Sequence, residues 1–345
     1  MPRRRSLVAV VMLASCLALP AGARAAGGTL LDGLGAGVSA YGGWAAWTHE
    51  DPAATATELM LRSPAGVVAP APVPAGRGSF EVRLGPRAGG GVAAVYRRCS
   101  DPAHLRGCSI YELAVGVAGA AERPLAIPGG GSDTDPAIWK NRVAFVRPRG
   151  GSHRHPDGVY VWTIGSRSSP RPATLEASRG GREAGGERWP KGLTGEVTAL
   201  TIGPRQLAYV TSVANGSFGE TTLWYEPIGG RPELIDQETS GAGNVCAPAF
   251  LSPVTAGGWL YAYLHACDPS GDPGRDRLTR YAHGEAQRAR YVFAAHGDDA
   301  LGSVVPDGAG VDWDDEGVRR IASVSWQRIP LPVAQTFCTR ADPFC

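Results

Sequence analysis

Lysine is nearly missing from this chain: Lys140 and Lys191 stand alone among 345 residues, and arginine supplies the rest of the positive charge. Net charge is missing too. The formal balance is +2, but residues 1–25 hold four arginines and no acid, which leaves 30 basic against 32 acidic residues, or −2, in the remainder. A near-neutral surface removes the electrostatic basis for nucleic-acid binding, and no nucleic-acid partner is expected. Three catalytic signatures are also missing: the G-x-S-x-G elbow, the G-x-x-x-x-G-K-[ST] phosphate loop and the H-E-x-x-H zinc helix. Their absence excludes the enzyme classes that those motifs build. Cysteine is not scarce, but no C-x-x-C spacing accompanies it, which argues against a zinc site.

What is present begins with a basic head, an apolar run (SLVAVVMLASCLAL) and Ala23-Arg24-Ala25, the pattern of a secretory signal peptide cut after Ala25. The apolar run is shorter than the roughly 20 residues of a membrane span, so no transmembrane segment is expected in the mature chain. Secretion, or residence in a bacterial cell envelope, follows. The alternative is a lipid anchor through Cys16, because Leu13-Ala14-Ser15-Cys16 resembles a lipobox. The other six cysteines of this exported chain fall into close pairs, Cys99 with Cys108, Cys246 with Cys267 and Cys338 with Cys345. Six cysteines allow 15 connectivities. Local pairing is favoured because each pair brackets one loop or hairpin. Forty-eight glycines and 28 prolines, with 43% apolar residues and nine tryptophans, suggest a loop-rich all-β protein with ample core.

One strand is written again and again: GWAAW (43–47), GVAAV (91–95), RVAFV (142–146), QLAYV (206–210), LYAYL (260–264) and, more loosely, a segment ending at Trp313. Measured between their last residues, the steps are 48, 51, 64, 54 and 49. A period near fifty with no helical periodicity inside it indicates propeller blades. Each copy is preceded by an apolar piece such as SDTDPAIW and followed by a second strand such as GVYVWTIGS. A third strand then contains proline, as in RPLAIP, which suits an outer edge. Four strands in each of six units predict a six-bladed β-propeller of mainly four-stranded blades over residues 26–335, with a disulfide-bridged tail at 336–345. The repeated strand lacks polar alternation because it is buried on both faces. The long step holds a surface loop at 178–195, and GGTLLDGLG near the N-terminus is the candidate strand for closing the last blade.

Asp135-Pro136-Ala137-Ile138-Trp139 followed by Arg142-Val143-Ala144-Phe145-Val146 is similar to the D-P-x-W-S-P-D-G-x-x-I-A-F pattern of TolB-like or WD40-like propeller repeats from bacterial envelopes. Lys140-Asn141 stands in place of S-P-D-G, and Pro306-Asp307-Gly308 resembles the same turn in the last unit. The likeness spreads over most of residues 34–332. It implies binding through the tunnel mouth or a broad face, and no shared catalytic residue.

Candidate site residues precede the innermost strands: Asp133, Asp135, Glu196, Asn244, Asp298 and Asp299. Strand starts crowd the axis of a propeller, so these groups are expected at one tunnel mouth, where they suit a cation, a basic peptide or sugar hydroxyls. Local turn capping is the competing reading. Asp312, Asp314 and Glu316 resemble the opening of a calcium loop, but Ser323 stands where a bidentate glutamate belongs. A polar turn without cofactor is preferred there, with calcium as the alternative. His153 and His155 are read as a solvated hairpin tip, and the S-x-D-x-G-x-T-W box of sialidase-type propellers is absent. The resulting expectation is a monomeric, non-catalytic binding module for a protein or small envelope ligand. The alternative is a propeller hydrolase or lyase acting on a sugar, lactone or peptide, with carboxylates at the tunnel mouth.

Overall fold

In the computed structural model, residues 29–30, 38–50, 56–104, 106–130, 132–147, 158–173, 196–215, 218–230, 232–240, 249–256, 259–265, 277–282, 285–291, 300–305, 310–315 and 318–323 are described. The strands run in chain order. After β1 (Thr29–Leu30) comes a sheet of β2 (Ser39–Tyr41), β3 (Trp44–Glu50), β4 (Thr57–Arg62) and β5 (Val68–Pro70). The next holds β6 (Arg83–Pro86), β7 (Val92–Asp101), β8 (Arg106–Val115) and β9 (Arg123–Pro124). A third contains β10 (Thr134–Trp139), β11 (Arg142–Arg147), β12 (Gly158–Thr163) and β13 (Arg171–Pro172), and a fourth β14 (Glu196–Ile202), β15 (Gln206–Asn215), β16 (Phe218–Pro227) and β17 (Glu233–Ser240). Then follow β18 (Ala249–Ala256), β19 (Trp259–His265), β20 (Arg277–Ala282) and β21 (Glu285–Tyr291), and finally β22 (Ala300–Val305), β23 (Gly310–Asp315) and β24 (Val318–Ser323).

Each sheet is an antiparallel meander of four strands. In the last one the fourth strand is β1, which pairs Thr29 with Ile321 and Leu30 with Arg320. The N-terminal stretch thus supplies the edge of the C-terminal sheet. The first strands of the sheets neighbour one another in chain order, and β22 lies against β2. Sheets stacked radially in this way form a β-propeller. Among the described residues no helix is long and apolar enough to cross a membrane.

The repeated apolar strand is explained by which side chains meet which neighbour. On β7, Val92, Ala94 and Tyr96 pack with Leu59 and Leu61 of the sheet before, whereas Ala93 and Val95 pack with Val143 and Phe145 of the sheet after. β11 repeats the pattern, with Ala144 and Val146 turned toward Leu207 and Tyr209 of β15, whose Ala208 and Val210 in turn meet Leu260 and Ala262. Both faces are therefore core, and a polar residue on either would be buried without water. Alanine recurs at the closest approaches: Ala46, Ala93, Ala94, Ala144, Ala208 and Ala262 are all fully buried.

Adjacent inner strands approach even more tightly. A β-carbon on Gly85 would lie 2.3 Å from the Ile138 carbonyl oxygen, and the Lys140 N–H donates to the Pro86 carbonyl at 2.7 Å. The Leu84 N–H likewise donates to Ser39 Oγ at 2.9 Å, tying β6 to β2. Cys99 and Cys108 are cross-strand partners on β7 and β8 and are joined by a disulfide. The remaining proposed pairs, the signal segment 1–25, the tail 336–345, the loop 178–195 and both His153 and His155 lie outside the described residues.

Candidate functional site at the starting ends of the inner strands

The first strands of all sheets run in the same sense, so residues at their starts share one end of the ring. Glu81 lies two residues before β6, Asp133 one residue before β10, Asp135 inside β10 and Glu196 at the first residue of β14. Asn244, Asp298, Asp299 and Glu316 lie outside the described residues. Asp312 and Asp314 fall within β23, paired with Ser303 and Ala300 of β22, and so occupy a regular strand rather than a loop. Among the described residues no group of three metal-ligating side chains forms.

Asp133 and Asp135 have different surroundings although they are two residues apart. The Asp133 carboxylate is nearly inaccessible and accepts from Arg147 Nε at 2.7 Å and Nη2 at 2.9 Å. Arg147 also lies over the rings of Phe145 and Tyr160, at 5.1 and 5.3 Å. This bidentate, aromatic-backed pair anchors the start of β10 to the end of β11. Asp135 is directed elsewhere by a bulge between Thr134 and Ala137. Similar bulges interrupt β14, β18 and β22, so the kink belongs to the repeat. What is particular to β10 is a carboxylate placed at it.

There Asp135 meets Glu81 of the preceding sheet. The Asp135 N–H donates to Glu81 Oε2 at 3.2 Å, while Arg97 Nη2 lies 2.6 Å from Glu81 Oε1. Burial pushes the Glu81 carboxyl up from 4.5 to about 7, and the nearby Asp135 charge pushes it the same way. Arg97, the Asp135 N–H and Arg83 pull it down without cancelling the rise. Burial lowers the pKa of Arg83, against the pull of Asp135 and Glu81. Glu81 and Asp135 both have φ of 46°. Apart from glycine, only Lys140 joins them at positive φ among the described residues, and it sits in the β10–β11 turn. Left-handed backbone at a non-glycine residue costs about 1–3 kcal/mol and persists only where the surroundings enforce it.

The channel below this pair is narrow. Ser39, Arg83, Trp139, Thr201 and Thr255 help to enclose an axial cavity of about 40 Å³, enough for a water molecule. Glu81 was not among the residues singled out from sequence, although the rule that selects Asp135, a carboxylate just before or at the start of an inner strand, also reaches it. Arg83 and Arg97 bear no such signal, because their role depends on packing between sheets.

No family model matches the sequence, and no curated protein matches it. Solved structures do. The β-propeller domain of the Trilobed protease from Pyrococcus furiosus is 9% identical, with a TM-score of 0.44, covering 87% of this chain and 84% of that one. An α-l-arabinofuranosidase from Fusarium graminearum is 11% identical, with a TM-score of 0.46 and coverage of 81% and 89%. A prolyl endopeptidase is 12% identical, with a TM-score of 0.42 over 85% of this chain, which spans only 40% of the endopeptidase. These likenesses are of fold. The matched structures are peptidases and glycoside hydrolases, which goes against the expectation of a non-catalytic binding module.

Proposed function

We propose that this chain is an exported, six-bladed propeller enzyme, a hydrolase or lyase of sugar, lactone or peptide substrates, with Glu81 as its proton-transfer residue. The observation that carries this reading is the Glu81–Asp135 pair, two carboxyl groups drawn from neighbouring sheets in left-handed backbone at the starting ends of the inner strands. A carboxyl that titrates near 7 is close to half protonated at neutral pH, which suits it to give and take a proton within one catalytic cycle. In hydrolysis, ionised Glu81 takes a proton from the attacking water as its oxygen bonds to the electrophilic carbon. Protonated Glu81 then delivers that proton to the leaving oxygen or nitrogen. Burial, and after it the Asp135 charge, keeps the Glu81 proton affinity high, and Arg97 orients the carboxylate.

Six sheets in chain order among the described residues, with β22 against β2 and β1 completing the last sheet, support the six-bladed reading. The TolB-like pattern of residues 135–146 supports a repeat of that type and has no bearing on the chemistry.

The test is a panel of p-nitrophenyl glycosides, lactones and peptide p-nitroanilides assayed with residues 26–345. A turned-over substrate should show an activity limb near pH 7. Glu81→Gln should lower kcat about 10²–10⁴-fold. Asp135→Asn removes a repelling charge and should move the limb to lower pH. No turnover of any panel member, or turnover indifferent to Glu81→Gln, overturns the proposal.

A further inference from the structure

The two ends of the ring expose different chemistry. In the sheets built from consecutive strands, the turn after the first strand and the turn after the third both lie at the end away from Glu81 and Asp135. Those turns protrude: a β-carbon on Gly89, Gly90, Gly119, Gly165 or Gly229 would meet nothing within 4 Å. The exposed large hydrophobic residues among those described are Val67, Val68, Val117 and Leu234, and every one belongs to this end. Val67 closes the β4–β5 turn at 64% exposure and Val117 lies in the β8–β9 turn at 52%. Val68 and Leu234 stand within the first two residues of β5 and β17, the strands that leave those turns.

Cations share that end. Arg87, Lys140 and Arg205 are exposed in the β6–β7, β10–β11 and β14–β15 turns, equivalent positions of three neighbouring sheets. Arg167 is exposed in the β12–β13 turn, while Arg62 at the end of β4 and Arg142 at the start of β11 are part-exposed. Acids hardly oppose them: Glu226 is buried, Glu122 is held by Arg98, and Glu233 is the exposed carboxylate at this end among the described residues. The accessible carboxylates Glu58, Asp101, Asp135 and Glu196 lie toward the other end.

This combination selects a partner. Cations alone would suit any polyanion in water, but protruding apolar side chains gain only where they can leave water. An anionic bilayer satisfies both, because its surface attracts arginine and lysine and its headgroup boundary takes up apolar side chains. Tyr41 and Trp44 flank the β2–β3 turn at the same end, part-exposed, and such rings favour a membrane interface.

We propose that the turn end of the ring docks on a bilayer containing anionic lipid, with Val67 and Val117 entering the headgroup layer and Arg87, Lys140 and Arg205 facing lipid phosphates. Docking in this orientation keeps the Glu81–Asp135 end away from the bilayer.

The test is flotation of residues 26–345 with phosphatidylcholine vesicles, alone or mixed with phosphatidylglycerol. At low salt the mixed vesicles should bind, and the neutral ones about tenfold more weakly or worse. Arg87→Gln and Arg205→Gln should each weaken binding about fivefold, the worth of one cation at an anionic surface. Val67→Ser combined with Val117→Ser should weaken it about tenfold, since two apolar side chains leave the boundary. These side chains are exposed, so the variants should keep the wild-type Tm. Arg106→Gln removes an exposed cation at the other end and should bind like the wild type. Equal binding to both kinds of vesicle, no binding to the mixed ones, binding unmoved by the arginine or the valine variants, or an equal loss from Arg106→Gln overturns the proposal. Heparin bound equally by the wild type and the valine double variant, with vesicles left unbound, would assign the cations to a soluble polyanion and overturn it as well.

Discussion

Breaking the Asp133–Arg147 pair should destabilise the protein more than any exposed salt bridge could. The side chains are 4% and 18% exposed, and both Asp133 oxygens accept from the guanidinium. Removing one member of such a buried pair leaves the other charge without compensation, at a cost of about 3–5 kcal/mol. The lower end applies to Asp133→Asn, because Arg147 keeps some solvent contact, a 3.3 Å bond to the Pro128 carbonyl and two aromatic faces. About 3 kcal/mol is expected for Asp133→Asn and a similar or larger loss for Arg147→Met. The double variant removes both charges, so it should lose about 2 kcal/mol less than the sum of the singles. In Tm the first variant should fall by roughly 4–5 °C for a chain of this size. Urea unfolding followed by tryptophan fluorescence gives the midpoints, with thermal scans as a check. Asp133→Asn within about 0.5 kcal/mol of wild type, or strict additivity in the double variant, would refute the claim that this pair anchors β10. The anchor also holds the start of the strand that places Asp135 against Glu81.

Gly85→Ala should lose about 1–3 kcal/mol, since its β-carbon would meet backbone at Ile138 and force β6 from β10, where the Lys140–Pro86 hydrogen bond now holds them; an unchanged urea midpoint would show that this approach is softer than it looks. Deleting residues 26–34 removes β1 from the edge of β24 and should lower Tm by several degrees, whereas deleting 336–345 should lower it less. A thermal transition unmoved by the first deletion would mean that β1 contributes nothing to closing the ring.

The strand repeat was legible in the sequence for a physical reason. A strand buried on both faces must be apolar at every position, so β7, β11 and β15 are written as the same short run, with alanine where the neighbours come closest. Local pairing of Cys99 with Cys108 was legible because the two cysteines stand only nine positions apart on the two strands of one hairpin. Most of the site was not. Asp133 and Asp135 look interchangeable in the chain, yet a bulge and a left-handed backbone send one to Arg147 and the other to Glu81, 54 residues away. Glu81, Arg83 and Arg97 acquire their electrostatics only from being pressed together between two sheets. Periodicity along the chain determined the blades, because each blade is built from local contacts. The tertiary structure alone decided that Asp135 meets Glu81 and that the Glu81 proton affinity rises, because that affinity depends on what neighbouring sheets remove from water.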